Sequence, residues 1–528
     1  MNKKRLNYLV VLLGFFVFYL FLLFVLYLSE RNQPGSNINS LADAFWFSIV
    51  TISTVGYGDV TPKSPLGYAV GFIFIVMSTG MLVALFGSVV SFITSEGFPM
   101  IKLRMNRRRN WHYLAELSAE SDTLARDILK EDPEAIIIFG VNRDEEAEKP
   151  DYPCLFINVS PARIVEQKKG IGEKCNVYFL KENDIGRNMK AMDIFKLPVN
   201  VYACTMSGQE KMSGNINFFH PYDCCARSYW REHPLHHSDN MIIIIGFGNY
   251  GLAMLERAIL LNINDANFDV QYHIFGDAER FLNIHNHLGT AFGINEIKPG
   301  HDSLFFHNED WSTQHELMQN ADRIIICEDD EPTGWDILWQ LQRYYNCKCQ
   351  IDLRSNRKAP GVSYFGTNDE IYTVDQIVRT KLNYAAKAMN DLYRRSVDKS
   401  LDWDELSDQL KQSKIAVADH LYVKVMILRN YKKFAELNWR ICQQAYEAYC
   451  IAKQDPEKLD SLRRIEHARW VRFYCYYNWN YGNRRNDRLH ENPMIVDYDM
   501  LNSRQRAYHD RAWELLGEIA SLLKRQER

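Results

Sequence analysis

A six-residue run near the start of the chain, with the sequence TVGYGD, has the composition needed to bind an ion through its backbone. The two glycines tolerate the unusual dihedral angles that turn successive carbonyl oxygens toward one axis. Oxygens arranged in this way can replace the water around a K⁺ ion. One chain supplies only a quarter of the oxygens that surround such an ion, so the run predicts four copies around a common axis. The predicted ion-binding residues are Thr54, Val55, Gly56, Tyr57, Gly58 and Asp59.

Two long apolar stretches lie on either side of this run. Residues 6–28 are almost uninterrupted apolar side chains, and residues 66–93 form a second stretch of similar character. Each has about the length that a helix needs to cross a bilayer. Residues 41–53 lie between them, follow the helix-capping Ser40, and are too few to cross. We therefore predict two membrane spans, a re-entrant pore helix at 41–53 and a filter at 54–58.

The filter and its flanks, over residues 1–100, resemble the two-span, ligand-gated potassium channels of prokaryotes. In that family the pore is followed by cytoplasmic domains that regulate potassium conductance, known as RCK domains. The resemblance implies K⁺ as the permeant ion, a homotetramer with a cytoplasmic gating ring, and a multi-pass position in the inner (plasma) membrane of a bacterium.

The gate hinge is predicted in the second apolar stretch. Gly80 and Gly87 are the candidates, because glycine lowers the cost of bending a helix. Ser78 stands where many of the resembling channels carry their hinge glycine. Gly80 has an alternative role as a small residue that lets helices pack closely in lipid.

Basic residues predict the orientation of the two spans. Lys3, Lys4 and Arg5 precede the first span and a basic cluster at 102–109 follows the second, whereas the loop between the spans is nearly balanced. Since Lys and Arg mark the cytoplasmic side, both termini are predicted to be cytoplasmic. A secretory signal peptide is the alternative for the first stretch, but its apolar body is too long and no small-residue cleavage site follows it.

Composition sets limits on the rest of the chain. The 528 residues leave more than 400 beyond the predicted pore, enough for about three domains. The net charge of −4 gives no case for a nucleic-acid partner. All 11 cysteines follow the pore without any C-x-x-C pair, so we expect reduced cytosolic thiols and no metal site.

Residues 110–238 show an alternation of apolar strands and polar helical segments. Strands are predicted at 135–139, 176–180 and 199–203, with a helix at 119–129, and this pattern favours a parallel sheet with helices on both faces. Residues 115–121, where a phosphate-binding loop would lie, contain no glycine. The unit resembles degenerate RCK domains and could serve as a scaffold or as a nucleotide site.

Residues 239–395 carry a stronger signal. An apolar strand at 242–245 runs into a G-x-G-x-x-G loop, which a helix at 252–260 follows. The glycines of such a loop allow a tight turn, the approach of a phosphate and close helix packing, while free helix amides favour an anion. Asp277, at the end of a strand at 271–275, is placed to bind a ribose hydroxyl. The predicted nucleotide-binding residues are Gly246, Gly248, Asn249, Tyr250, Gly251 and Asp277.

Further strands are predicted at 323–327 and 348–352, and an amphipathic packing or dimerisation helix at 374–395. Together the two α/β units resemble a tandem pair of RCK or TrkA-type domains. The resemblance implies a small adenine nucleotide or NAD-like ligand, and Asp277 favours a free 2′-hydroxyl. The alternative is a glycine loop that is structural and empty.

Residues 400–528 are predicted to be helical and rich in aromatic and charged side chains. They resemble the ryanodine-receptor repeat (RyR) domain, although Asn492 stands where a histidine often precedes the proline. Aromatic residues could form a wall and arginines an anion clamp for a ligand, or the same residues could be core. The pocket candidates are Glu466, His467, Arg469, Trp470, Trp479, Tyr481, Arg485 and Asp487.

The predicted fold is an α-helical two-span, tetrameric membrane pore domain, followed by two α/β Rossmann-like domains and a C-terminal helical RyR-like domain. The predicted function is a potassium-selective channel gated by a nucleotide-sensing ring, with the RyR-like domain as a second regulatory input. A membrane-anchored NAD-dependent enzyme or redox sensor is the alternative. It would explain the glycine loop but not the filter, and we find no acid, base or nucleophile set near the loop, so no catalytic residue is assigned.

Overall fold

The computed structural model describes residues 3–94, 97–143, 148–158, 161–166, 175–181, 199–204, 216–236, 238–265, 269–396, 401–430 and 437–526. The chain divides into two compact units, Met1–Arg107 and Arg108–Arg528.

The first unit is helical. Ser40 begins its second helix with a capping box, in which the Ser40 hydroxyl accepts from the Asp43 amide and the Asp43 carboxylate accepts from the Ser40 amide. Apolar side chains of the first three helices, among them Leu26, Ala44 and Phe74, pack together as its core. The helices are α1 (Lys3–Glu30), α2 (Leu41–Ile52), α3 (Pro65–Thr94) and α4 (Gly97–Met105).

The two predicted spans fall within α1 and α3. Most side chains before residue 14 and many after residue 80 lie outside the described part of the chain. Among the described residues, no helix combines the length and the apolar character that crossing a membrane requires. Helix α3 is continuous through Gly80 and Gly87, and their role as hinges stays a prediction.

A parallel six-stranded sheet opens the second unit. Its order, β3-β2-β1-β4-β5-β6, places the first strand at the centre and winds the chain outward in both directions. The three strands predicted for this unit correspond to β2, β4 and β5. Its elements are β1 (Trp111–Leu117), α5 (Ala119–Glu131), β2 (Ile136–Arg143), β3 (Cys154–Phe156), α6 (Pro161–Glu166), β4 (Cys175–Phe179), β5 (Asn200–Cys204), β6 (Ile216–Phe219) and α7 (Pro221–Glu232).

Residues 115–121 form the junction between a strand and a helix, without a glycine-rich loop. The segment holds the end of β1, the cap residue Ser118 and the first turn of α5. Strand β1 is buried but includes the polar His112, whose Nδ1 lies 3.0 Å from the Tyr178 hydroxyl. This polar residue interrupts the apolar run by which a buried strand is recognised in a sequence.

The second sheet is parallel and has seven strands in the order β13-β12-β11-β7-β8-β10-β9. Here β7 is the first strand, and the winding direction reverses between β7 and β11. Its elements are β7 (Met241–Ile245), α8 (Asn249–Leu261), β8 (Gln271–Phe275), α9 (Glu279–Ile284), β9 (Gly293–Ile294), β10 (Ser303–His307), α10 (His315–Asn320), β11 (Arg323–Ile326), α11 (Glu331–Gln340), β12 (Gln350–Arg354) and β13 (Ser363–Phe365).

The single helix predicted at 374–395 is interrupted. Thr380 adopts a left-handed φ of 48°, which ends one helical segment before the next begins. The remaining elements are α12 (Asn368–Ile371), α13 (Val374–Ile377), α14 (Tyr384–Ser396), α15 (Asp408–Arg429), α16 (Trp439–Ala452), α17 (Pro456–Tyr476), β14 (Asn480–Tyr481), β15 (Glu491–Asn492), α18 (Ser503–Tyr508) and α19 (Asp510–Gln526).

The C-terminal helices share a core with the second sheet. Trp470 and Trp479 belong to the same buried apolar cluster as Ile244 of β7 and Leu255 of α8. Buried ion pairs reinforce this packing. Arg227 of α7 lies 2.6 Å from Asp419 of α15, and Arg472 of α17 lies 2.7 Å from Asp302, which precedes β10. The segment from 400 onward therefore folds together with the second sheet.

Candidate functional site

The filter residues alternate in backbone handedness. Thr54, Gly56 and Gly58 have positive φ angles of 61°, 58° and 74°. Val55 and Tyr57, which lie between them, are not in the left-handed region. Alternation of this kind aligns successive backbone dipoles on one side of the chain, which is the requirement for carbonyl coordination of a cation.

Contacts with α2 and the preceding loop hold the filter in place. The amides of Val55 and Gly56 donate to the Val50 carbonyl at 3.1 and 3.2 Å. The Trp46 indole donates to the Asp59 carboxylate at 2.9 Å, and its ring stacks on Tyr57 with an interplanar angle of 3°. Trp46 thus holds two residues of the predicted filter, Tyr57 and Asp59, and its only signal in the sequence is a tryptophan in the helix before the run.

A buried carboxylate joins the end of α1 to the start of α3. Glu30 accepts from the amides of Lys63 and Ser64, both at 2.8 Å, and from the Ser64 hydroxyl at 2.6 Å. These amides lie at a helix N-terminus, where a negative charge is stabilising. Glu30 therefore holds the segment that follows the predicted filter, at Lys63 and Ser64, against the end of α1. Its signal in the sequence is an acidic residue at the end of an apolar stretch.

The glycine loop lies at the switch point of the second sheet, the edge at which α/β proteins bind ligands. A cleft of about 750 Å³ opens there, between the loop after β7 and the loop after β11. Gly246 lines it with a positive φ of 91°, and Asp277 lies exposed at its edge. A Cβ on Gly251 would lie 1.9 Å from the Gly246 carbonyl oxygen, so this glycine lets α8 pack on its strand.

Two of the predicted ligand contacts have a different role in the structure. The Tyr250 side chain points into the core, where the Arg354 guanidinium donates to its hydroxyl at 3.0 Å and stacks 4.2 Å from its ring centre. The amides of Asn249 and Tyr250 donate to the Asp329 carboxylate at 3.0 and 3.2 Å. These are the amides that would face a phosphate. The Tyr250 side chain is therefore part of the core, and the place of this residue in a nucleotide-binding loop stays a prediction.

The cleft is acidic. Among the described residues that line it, none is Lys or Arg. Burial, together with neighbouring Asp329 and Asp330, raises the pKa of Glu328 above its usual value. No group of three His, Cys, Asp or Glu side chains in the described part of the chain is arranged to hold a metal ion. The carboxylates in the lining are Asp277, Glu309, Asp310, Glu328 and Asp336.

The corresponding edge of the first sheet differs. Ser118 and Ser121 form a capping box at the start of α5, and Lys181 pairs with Glu116 at 3.0 Å. The helix start is thus capped by serine side chains, which is consistent with the scaffold interpretation of this unit.

Two of the eight pocket candidates in the C-terminal segment, Glu466 and Arg469, form a buried charge cluster with Lys424. Glu466 is 2% exposed and lies 2.6 Å from Lys424 and 2.6 Å from Arg469. Burial opposes ionisation of Glu466, but Arg469 and Lys424 outweigh it and hold the pKa of Glu466 well below its usual range. Burial also lowers the pKa of Lys424 to about 8. His467 contacts the Val496 carbonyl at 2.7 Å and His509 at 3.1 Å.

The aromatic wall is not assembled. Trp470 and Trp479 are 8% and 4% exposed and belong to the core, whereas Tyr481 is 51% exposed. Arg485 pairs with Asp487 at 2.8 Å on the surface. The burial of Trp470 and Trp479 fits the core alternative for these two residues, and a ligand pocket at the other candidates stays a prediction. A separate cleft of about 770 Å³ lies among α14, α16 and α19, with Tyr384, Lys387, Tyr446, Arg511, Glu514 and Arg525 among its lining residues.

Comparisons with known proteins agree with the filter geometry. An ion-channel family model matches residues 10–95. A voltage-gated potassium channel of Aeropyrum pernix is 40% identical over 81 residues, which are 15% of this chain and 25% of that protein. The calcium-gated potassium channel TvoK of Thermoplasma volcanium is 27% identical over 141 residues, which are 25% of this chain and 38% of that protein. Residues 10–95 are thus similar to an ion-channel domain, and part of the chain is similar to known potassium channels.

These matches cover less than two fifths of either relative, at 25% and 38% of their lengths. Among solved structures, the GsuK channel is 15% identical over 69% of this chain and 96% of that chain, with a TM-score of 0.39.

Proposed function

We propose that the chain is a subunit of a tetrameric, potassium-selective channel. The observation that carries the proposal is the alternating backbone of Thr54, Gly56 and Gly58, within a segment that matches the ion-channel family. In a single chain Val55 and Tyr57 are 52% and 68% exposed. A four-fold assembly would cover these side chains and complete the ring of oxygens. The two spans would place the protein in the plasma membrane with both termini in the cytoplasm.

Ion selectivity tests this proposal. The full-length protein is reconstituted in liposomes, and reversal potentials are measured under opposing K⁺ and Na⁺ gradients. We expect K⁺ to permeate far better than Na⁺, because the carbonyl spacing suits the larger ion. Equal permeabilities in well-folded tetramers would contradict the proposal.

We infer that the cleft at the second sheet binds the ligand that gates the pore. Its position at the switch point supports this role, and Asp277 is placed to accept a hydrogen bond from a ribose hydroxyl. An adenosine-containing or NAD-like molecule is the first candidate. A ligand changes gating only as far as it binds the open and closed states differently.

A divalent cation is the second candidate ligand. The five carboxylates of the cleft favour it, and the relative TvoK is a calcium-gated channel. Since the described residues form no ready three-ligand set, such an ion would keep part of its water shell.

Replacing Asp277 with alanine should separate ligand response from conduction. We expect the variant to keep its unliganded K⁺ flux and to lose its response to adenosine, NAD or Ca²⁺, whichever opens or closes the unmodified channel. Asp369→Ala removes an exposed carboxylate outside the cleft and serves as the control. A full ligand response in the Asp277→Ala channel would argue against this site.

The C-terminal helical segment is proposed to supply a second regulatory input. Its shared core with the second sheet supports this role, because a change in its packing must reach the elements that carry the cleft.

A further inference from the structure

We propose that Asp329 is the specificity-determining residue of the glycine loop beside the cleft, and that its carboxylate occupies the place of a ligand phosphate. The two Asp329 oxygens accept from consecutive amides at the start of α8, one bond to each oxygen. Those amides are the donors that a glycine loop of this type offers to a pyrophosphate. The inference rests on the proposed ligand cleft and names the class of ligand that it accepts.

The second glycine of the loop supports this assignment. A Cβ on Gly248 would lie 2.5 Å from one Asp329 oxygen and 2.8 Å from its carboxyl carbon. In a nucleotide site this glycine leaves room for the phosphate. Here the space that it leaves is filled by the chain's own carboxylate.

The neighbours of Asp329 in the acidic run after β11 have separate partners. Asp330 caps α11 by accepting from the Thr333 amide at 3.0 Å. Glu331 accepts from the Ser355 hydroxyl at 2.6 Å and from the Arg357 amide at 3.0 Å. Glu328 lines the cleft. Asp329 is thus the member of the run whose carboxylate accepts from the amides that follow the second glycine of the loop.

The consequence is discrimination against phosphate. A phosphate that enters the loop must displace Asp329 and then face five carboxylates in the cleft lining. A neutral nucleoside makes no such demand, because its ribose can bind Asp277 while Asp329 stays in place. The unmodified cleft should therefore bind adenosine more tightly than AMP, ADP or NAD, so that the nucleoside is the member of the proposed ligand class that fits.

Asp329→Ala tests the assignment in the full-length protein in detergent micelles. Calorimetry is performed with adenosine, ADP and inorganic pyrophosphate. We expect the variant to bind ADP at least ten-fold more tightly than the unmodified protein and to gain binding of pyrophosphate, while its adenosine affinity changes less than three-fold. Asp329→Ser, which also opens the loop amides, is the second variant if the alanine protein does not fold.

Asp336→Ala is the matched control, because it removes one carboxylate from the same cleft and has no contact with the loop amides. An equal gain of pyrophosphate binding in this control would assign the effect to charge alone and overturn the proposal. Folded Asp329 variants that gain no pyrophosphate binding would overturn it as well. If adenosine binds to none of the proteins, the proposed ligand class fails, while the pyrophosphate result still decides the role of Asp329.

Discussion

A Gly56→Ala channel is expected to lose K⁺ selectivity or to carry no current. Gly56 has a φ of 58°, where an L-residue pays about 1–2 kcal/mol. In the described part of the chain, no atom lies within 4 Å of a Cβ built at this position. The cost therefore arises from the backbone, which relaxes toward negative φ and turns a carbonyl off the ion axis. Reversal potentials in liposomes measure the result, and we expect at least a ten-fold fall in the K⁺/Na⁺ permeability ratio.

Gly35→Ala is the matched control. Gly35 has a φ of 77° and is likewise free of close contacts among the described atoms, but it lies outside the filter. The two substitutions impose a similar backbone cost on the same unit. We expect Gly35→Ala to keep the permeability ratio of the unmodified channel. Retention of selectivity in Gly56→Ala would show that the backbone of this run does not select the ion.

Local features of the second unit could be predicted from the sequence. The apolar runs that form most of β7 and β11 are short and continuous, and a glycine or a charged residue follows closely, so their pattern identifies them. The glycine loop was placed between a strand and a helix for the same reason. Strand β1 was not predicted, because His112 interrupts its apolar pattern. The contact between His112 and Tyr178 forms only when the sheet brings the two strands together.

Contacts between distant segments could not be predicted. Asp329 lies about 80 residues from the amides that it caps, and no local pattern pairs them. The direction of Tyr250 depends on Arg354, which β12 brings to it. The spacing of the aromatic and charged residues of α17 predicts which of them share a face of the helix. It does not predict that other parts of the fold pack against these faces and bury them. Sequence spacing alone therefore could not decide between core and pocket.

The interface between α7 and the C-terminal helices contains a buried carboxylate, Asp419. Asp419 is fully buried and accepts from Arg227 at 2.6 and 2.9 Å and from Arg231 at 2.6 Å. Burial disfavours its charge, but Arg227 and Arg231 outweigh this effect and lower the pKa of Asp419 to about 2. Asp419 is therefore ionised at neutral pH. Arg227 is itself only 2% exposed, so solvent cannot replace the carboxylate.

Asp419→Ala should consequently cost about 3–5 kcal/mol of unfolding free energy, the usual penalty for leaving a buried charge without its partner. Thermal and urea unfolding of the full-length protein measure the loss. Glu131→Ala is the control, because it breaks an ion pair with Arg379 whose side chains are 40% and 55% exposed. Such a surface pair contributes about 0–1 kcal/mol. An equal loss of unfolding free energy in both variants would mean that the buried ion pair stabilises the fold no more than the exposed one.

Hydrogen exchange then shows which elements lose amide protection when Asp419 is replaced. Arg227 lies on α7 and Asp419 on α15, and the apolar cluster behind them includes residues of both the second sheet and α17. If these parts form one cooperative unit, Asp419→Ala should reduce amide protection in α7, α8 and α15 together. Loss of protection confined to the C-terminal helices would contradict a shared core and would make the segment an independent domain. If the core is shared, deletion of residues 401–528 would expose Arg227 and the apolar cluster beside it, and the rest of the second unit would be destabilised. Single substitutions at the interface are therefore the better test of how this segment regulates the pore.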